Sequence, residues 1–148
     1  MTAAPIKAIF IDMDDTLIVN EVLYDTARAM LYGYLSGYGV MHNELEETID
    51  RIDAELYKAH GYSRQRYPAT YEAVLRHFIP DADAEMVTTV RGFAEKVFQT
   101  VAPAKPGVAE ALEILQQKFP VYVVTAGDME VHKFRLANLP FKDAIRQA

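Results

Sequence analysis

Two short apolar runs in this chain read as buried strands, and the distance between them decides what it can fold into. They are IKAIFID, residues 6–12, and PVYVVT, residues 120–125, the second rich in β-branched residues. More than a hundred residues separate them. A parallel pair of strands needs a long crossover, and this chain provides one. The intervening pattern is helical throughout. The expected fold class is therefore α/β, ordered as strand, four-helix insertion, helix, strand and helix.

The helices are read from their apolar spacing. Leu23, Ala27, Met30, Tyr34 and Tyr38 form one helix face, which Gly39 can end. Asn43 with Glu46 resembles a capping box before Leu45, Ile49, Ile52 and Leu56. GYSRQRYP reads as a polar, aromatic loop, and Tyr71, Val74, Leu75 and Phe78 mark a third helix closed by Pro80. Asp81 or Asp83 can cap a fourth, with Met86, Val90, Phe93, Val97 and Val101 on its apolar face. Pro106 or Gly107 then starts a helix bearing Val108, Ala111, Leu112 and Leu115. After the second strand, AGD turns the chain into a last helix around residues 129–137.

Composition narrows the function classes. Of 148 residues, 51% are hydrophobic and 24% charged, which suits a packed domain rather than disorder. The net charge of −6 argues against a non-specific nucleic-acid partner, which needs a basic face. There is no cysteine, hence no disulfide or thiolate chemistry. No run has the length of a membrane span, and MTAAPIKAIF lacks the basic and apolar regions of a signal peptide. A soluble cytoplasmic protein with no membrane partner is the expectation.

The first strand ends in a cluster of like charge, Asp12, Asp14 and Asp15. In an extended segment i and i+2 share a face, so Asp12 and Asp14 point together and Asp15 away. The carboxyl ends of parallel strands are where open α/β sheets place their sites. Two convergent carboxylates there suit a hard divalent cation, Mg²⁺ if phosphate is the other ligand, or nucleophilic and proton-transfer work. Taken alone, the cluster is equally a polar turn in which Asp15 and Thr16 cap the next segment. The second strand ends in Thr125, Ala126 and Gly127 before a helix, where a hydroxyl and unbonded backbone N–H groups offer an anion seat. An ordinary turn capped by Asp128 explains this stretch as well. A carboxylate pair at one strand end and an anion seat at another together describe phosphoryl transfer.

An apolar strand followed by Asp12, Asp14, Thr16 and Leu17 resembles the first motif of the haloacid dehalogenase superfamily, in its phosphatase-like branch. An apolar strand ending in Thr125 is similar to its second. The resemblance spans nearly the whole chain. It implies a partial Rossmann-like parallel sheet core, residues 1–17 and 105–148, with a helical cap inserted over residues 18–104. It further implies that Asp12 attacks phosphorus and that Asp14 serves as acid and base. Thr125, with Ala126 and Thr16, would bind the phosphoryl group. Mg²⁺ would be held by Asp12 and Asp14, the latter through its backbone carbonyl. The substrate would be a small phosphorylated metabolite. Receiver domains also carry an acidic pair, but their next strand comes within a few tens of residues.

The family also needs a lysine and a second acidic pair, both from strands after the second motif, and the chain ends 23 residues past Thr125. Lys133 reads as part of a solvated helix face, Lys142 is a weak stand-in for the lysine, and Asp143 is a poor candidate ligand. A first strand without its usual neighbour has an open apolar edge, which invites self-association. A fragment of a longer protein, or a truncated non-catalytic remnant acting as a binding module, are the other readings. Arg64 and Arg66 lie in the aromatic loop, where solvated arginines are expected, and the four histidines show no metal spacing.

Overall fold

The computed structural model describes residues 5–146. Two compact units emerge: one made of the residues up to Glu21 and from Val101 onward, the other of Val22–Thr100.

The first unit is built on strands β1 (Ile9–Ile11) and β2 (Val121–Val123), which pair in parallel with Ile9 opposite Val121 and Ile11 opposite Val123. Ladder bonds extend the pairing at both ends, from Ile9 N–H to Pro120 (3.0 Å) and from Val124 N–H to Ile11 (2.9 Å). The strands are shorter than the apolar runs that predict them, because the residues beyond Ile11 and Val123 turn away to form loops. Phe10 and Tyr122, partners in register, stack at 5.5 Å. Phe10 nevertheless remains 67% exposed. The core beneath is Met13, Leu17, Ile18, Leu112, Val121, Val131, Leu139 and Phe141.

Beyond β1 the chain folds over a buried methionine. The Met13 carbonyl accepts from the N–H groups of Thr16, Leu17 and Ile18. Asp15 adopts a left-handed conformation with φ 55°, which aspartate tolerates better than most residues. Its Oδ1 accepts from the N–H groups of Asn20 (2.8 Å) and Glu21 (3.1 Å), satisfying orphan donors at the start of the first helix. The returning segment locks this loop in place: Val19 N–H donates to Pro103 (2.8 Å), Lys105 N–H donates to Leu17 (2.9 Å), and Ile18 bridges Ala104.

The second unit holds the helices of the insertion: α1 (Glu21–Ser36, entering from the first unit), α2 (His42–His60), α3 (Arg66–Phe78) and α4 (Ala84–Gln99). Its core joins Leu31, Leu35, Leu45, Ile49, Tyr71, Val74, Leu75, Val90 and Val97, all fully buried. The centre of the α1 face is Ala27, Leu31 and Leu35 rather than the predicted tyrosine stripe. Aliphatic side chains take the dry middle, and Tyr34 flanks it against Phe93 and Tyr38, where its hydroxyl can reach a polar partner.

Two helix starts also differ from expectation. At α2 it is Glu44 that reaches back to the Met41 N–H (3.4 Å), so the helix begins ahead of the predicted Asn43 and Glu46 pair. Helix α3 begins at Arg66, inside the predicted loop, since Pro68 falls in the first turn where no N–H is needed. Asp83 caps α4 through the Met86 N–H (2.9 Å), as its sequence position suggests.

Helix α5 (Val108–Gln116) begins after Gly107, whose φ of 79° suits glycine, and α6 (Met129–Ala137) comes after β2. A short 3-10 turn, Lys142–Ala144, leads to Arg146, whose N–H donates to the Val121 carbonyl (2.8 Å). The chain is thus laid along β2 on the side away from β1.

Two measurements probe this packing. Replacing Asp15 by alanine removes the acceptor for Asn20 and Glu21 and leaves a left-handed residue, at an expected cost of about 1–2 kcal/mol. Urea unfolding measures it, and Asp15→Asn should retain most of the lost stability. In the helical unit, burial alone would push the Glu72 carboxyl up, but hydrogen bonds from Arg91 and Arg76 outweigh it and hold the group below its ordinary value. A lowered carboxyl stabilises above its unfolded pKa of roughly 4.3, and that stability fades as pH falls through the lower folded value. Glu72→Gln should therefore be less stable at neutral pH and lose less on acidification, read as unfolding midpoints against pH.

Candidate active site

Parallel pairing settles which predicted residues share an end of the sheet. Asp12 directly follows Ile11, and Thr125 follows Val123 by two residues, so both lie past the carboxyl ends of paired strands. Asp12 is exposed, Met13 between the two acids is fully buried, and Asp14 is partly buried. Met13 thus anchors the chain in the core between the two acids. Thr16 closes the loop, its hydroxyl donating to Asp12 Oδ2 at 3.2 Å. The Lys105 ammonium donates to the backbone carbonyl of Asp15, which adds a positive charge beside the acidic turn.

The turn after β2 is more occupied than its sequence suggests. Asp128 is the N-cap of α6, and its Oδ1 accepts from Glu130 N–H (3.1 Å) and Val131 N–H (3.3 Å). Those two donors are therefore not available to an anion, and the expected seat narrows to the turn of Thr125, Ala126 and Gly127. This turn rests on a buried histidine. His132 Nε2 lies 3.3 Å from the Ala126 carbonyl, and any side chain at Gly127 would overlap that imidazole nitrogen. A larger residue there would have to displace the His132 ring.

Sequence reasoning missed a residue of the site. Arg135 lies on α6, 3% exposed, and its Nη1 donates to Asp14 Oδ1 at 2.9 Å across 121 positions of chain. Helical side chains lean toward the helix N-terminus, so a long arginine two turns into α6 brings its head back to the strand ends. Its Nε and Nη2 are buried without acceptors. Each such donor costs about 1–3 kcal/mol, and more when charged. The signal in the sequence is spacing: Arg135 falls four residues after Val131, on the same face of α6, and both are buried. The lysines weighed for the same role lie elsewhere. Lys133 is exposed and paired with Glu130 (3.1 Å), and Lys142 donates to the Ala137 carbonyl (3.3 Å).

Among the described residues no three His, Cys, Asp or Glu side chains converge as a metal-holding group. Mg²⁺ does not require one. It takes one or two carboxylates and completes its octahedron with water and phosphate oxygens. The exposed Asp12 carboxylate and the Asp14 backbone carbonyl are oxygen donors of that kind, and they fit the ion. No helix among the described residues is long and apolar enough to cross a membrane.

Comparison with known proteins places the chain. The family model for haloacid dehalogenase-like hydrolases matches residues 6–146. No match was found among curated proteins. Of solved structures, a haloacid dehalogenase-like family hydrolase from Xanthomonas campestris superposes with a TM-score of 0.82 at 21% identity, over 95% of this chain and 59% of that one. The HAD-hydrolase YfnB from Bacillus subtilis, solved bound to magnesium, gives 0.61 at 20% identity, over 95% and 62%. A 2-haloacid dehalogenase from Pseudomonas syringae gives 0.53 at 26% identity, over 95% and 62%. The chain thus spans about three-fifths of the length of these structures. Its mixed α/β fold, with a small parallel sheet and six α-helices among the described residues, matches theirs. The chain belongs to the haloacid dehalogenase-like hydrolases.

Proposed function

We propose that this chain carries the nucleophile, the acid/base and the phosphate seat of a Mg²⁺-dependent phosphatase acting on a small phosphorylated metabolite. The observation that supports this most is the shared strand end of Asp12 and Thr125, with Asp14 one buried residue beyond the nucleophile. In this reading an Asp12 carboxylate oxygen attacks phosphorus as the bond to the leaving oxygen breaks, and Asp14 delivers a proton to that oxygen. The result is an aspartyl-phosphate. Water then attacks phosphorus, Asp14 takes its proton, and the bond to Asp12 breaks to release phosphate and free the carboxylate. Thr125, Ala126 and Thr16 bind phosphoryl oxygens. Asp12 and the Asp14 carbonyl would hold Mg²⁺, which would supply charge to offset the repulsion between carboxylate and phosphate. The helical span 18–104 plays the part of the cap.

One of the structural neighbours is named a 2-haloacid dehalogenase. Displacement of halide from a neutral carbon also starts with a carboxylate nucleophile, but it needs neither a proton for the leaving group nor a divalent cation. Asp14 beside Asp12 favours the phosphoryl reading. The rival from another class is a non-catalytic binding module.

The 148-residue chain alone is expected to turn over slowly, because among the described residues no group of three His, Cys, Asp or Glu side chains converges to complete a metal site. It is also expected to self-associate. Among the described residues β1 pairs only with β2, and Phe10 and Val124 are 67% and 57% exposed, so another chain can bury them. Light scattering at several concentrations tests this: mass should rise with concentration, and a monomer throughout would contradict it.

Hydrolysis of a generic phosphate ester should require Mg²⁺ and vanish in Asp12→Asn, which keeps shape but removes the nucleophile. Asp14→Asn should cost about 10²–10⁴-fold in rate. Release of halide from a 2-haloacid with no phosphatase activity would favour the dehalogenase chemistry. Neither activity, with tight phosphate binding, would favour the binding module.

A further inference from the structure

Arg135 reaches a strand-end carboxylate, whereas Lys133 and Lys142 are turned to other partners. We propose that Arg135 is a positioning residue of this site: it fixes the Asp14 side chain, offsets the carboxylate charge and strengthens the binding of a phosphoryl anion. This rests on the phosphatase reading above.

Three observations carry it. The contact is specific, since Nη1 meets Asp14 Oδ1 at 2.9 Å across 121 residues, where local sequence cannot have brought the groups together by helix spacing. The guanidinium is buried, so its field on the strand-end carboxylates is poorly screened by solvent. It is also underbonded, because Nε and Nη2 lack acceptors. A buried cation on Asp14 with two unused donors can serve further acceptor oxygens once its side chain shifts, and a phosphoryl group brings three. His132, three residues earlier on the same face of α6, touches the Ala126 carbonyl, so one helix face serves both strand ends.

The positive charge acts with opposite signs on two ligands. Through its charge, Arg135 disfavours a divalent cation nearby but assists a phosphate. In Arg135→Gln, Mg²⁺ alone should bind with equal or higher affinity, while inorganic phosphate at saturating Mg²⁺ should bind about tenfold or more weakly, the worth of one charge-assisted hydrogen bond. Arg135→Lys should restore most of the phosphate affinity. Calorimetry on the 148-residue chain reads both ligands without turnover, and circular dichroism of each variant checks its fold. Parallel weakening of both ligands, or a variant that no longer folds while Arg135→Lys binds no better than Arg135→Gln, assigns Arg135 a structural role and overturns the proposal. Equal phosphate affinity in wild type and Arg135→Gln overturns it while leaving the phosphatase reading intact. A wild-type chain that takes up no phosphate at any Mg²⁺ concentration overturns that reading, and the Arg135 proposal with it.

Discussion

Parallel pairing of β1 with β2 holds the strand-bearing unit in its working arrangement. The register of Ile9 on Val121 and Ile11 on Val123 fixes which residues leave each strand at a common end. It brings residues 12–18 level with residues 124–128, although more than a hundred positions separate them. A slip of one residue would exchange the faces of the second strand and move Thr125 relative to Asp12. The pairing is short, and its neighbours support it. Met13 sinks into the core, Leu17 and Ile18 go with it, and the segment of residues 103–105 is bonded across the loop.

That arrangement places like charges together, and the fold sets cations beside two of them while Asp12 and Asp15 stay exposed to water. Arg135 engages Asp14, and Lys105 engages the Asp15 carbonyl. Asp15 itself is committed to the backbone at the start of α1. Three neighbouring aspartates thus have three different tasks. Asp12, exposed and held by the Thr16 hydroxyl, is the acid best placed to meet a ligand.

Much of the fold was legible because its signals are local. Strand-type runs, the apolar faces of α2, α3 and α4, Asp83 as a cap, Gly107 before α5 and the span of the last helix come from spacing and turn chemistry. The misplacements have local causes too. Pro68 looks like a helix breaker until its place in a first turn is known, and Glu44 rather than Glu46 reached the open N–H. The paired acids and Thr125 were legible as candidates because strand ends and i, i+2 spacing are sequence properties. Arg135 was not read, because its role comes from a contact with Asp14 that only the tertiary fold creates. The same is true of His132 beneath Gly127. Asp128 shows the converse: its sequence position allowed an open anion seat or an ordinary helix cap, and the cap bonds are what formed.

The step that separates a phosphatase from its rivals is covalent: a phosphoryl group passes through Asp12. Incubating the chain with a small acyl phosphate and Mg²⁺, quenching in acid and locating the adduct by peptide mass spectrometry makes that step visible. One phosphoryl group is expected, on the peptide bearing Asp12, labile to hydroxylamine and absent when Mg²⁺ is withheld. A phosphoryl group on any other residue, or an alkyl adduct on Asp12 from a 2-haloacid with no phosphoryl adduct under any condition, would refute a phosphoryl-transfer role for Asp12.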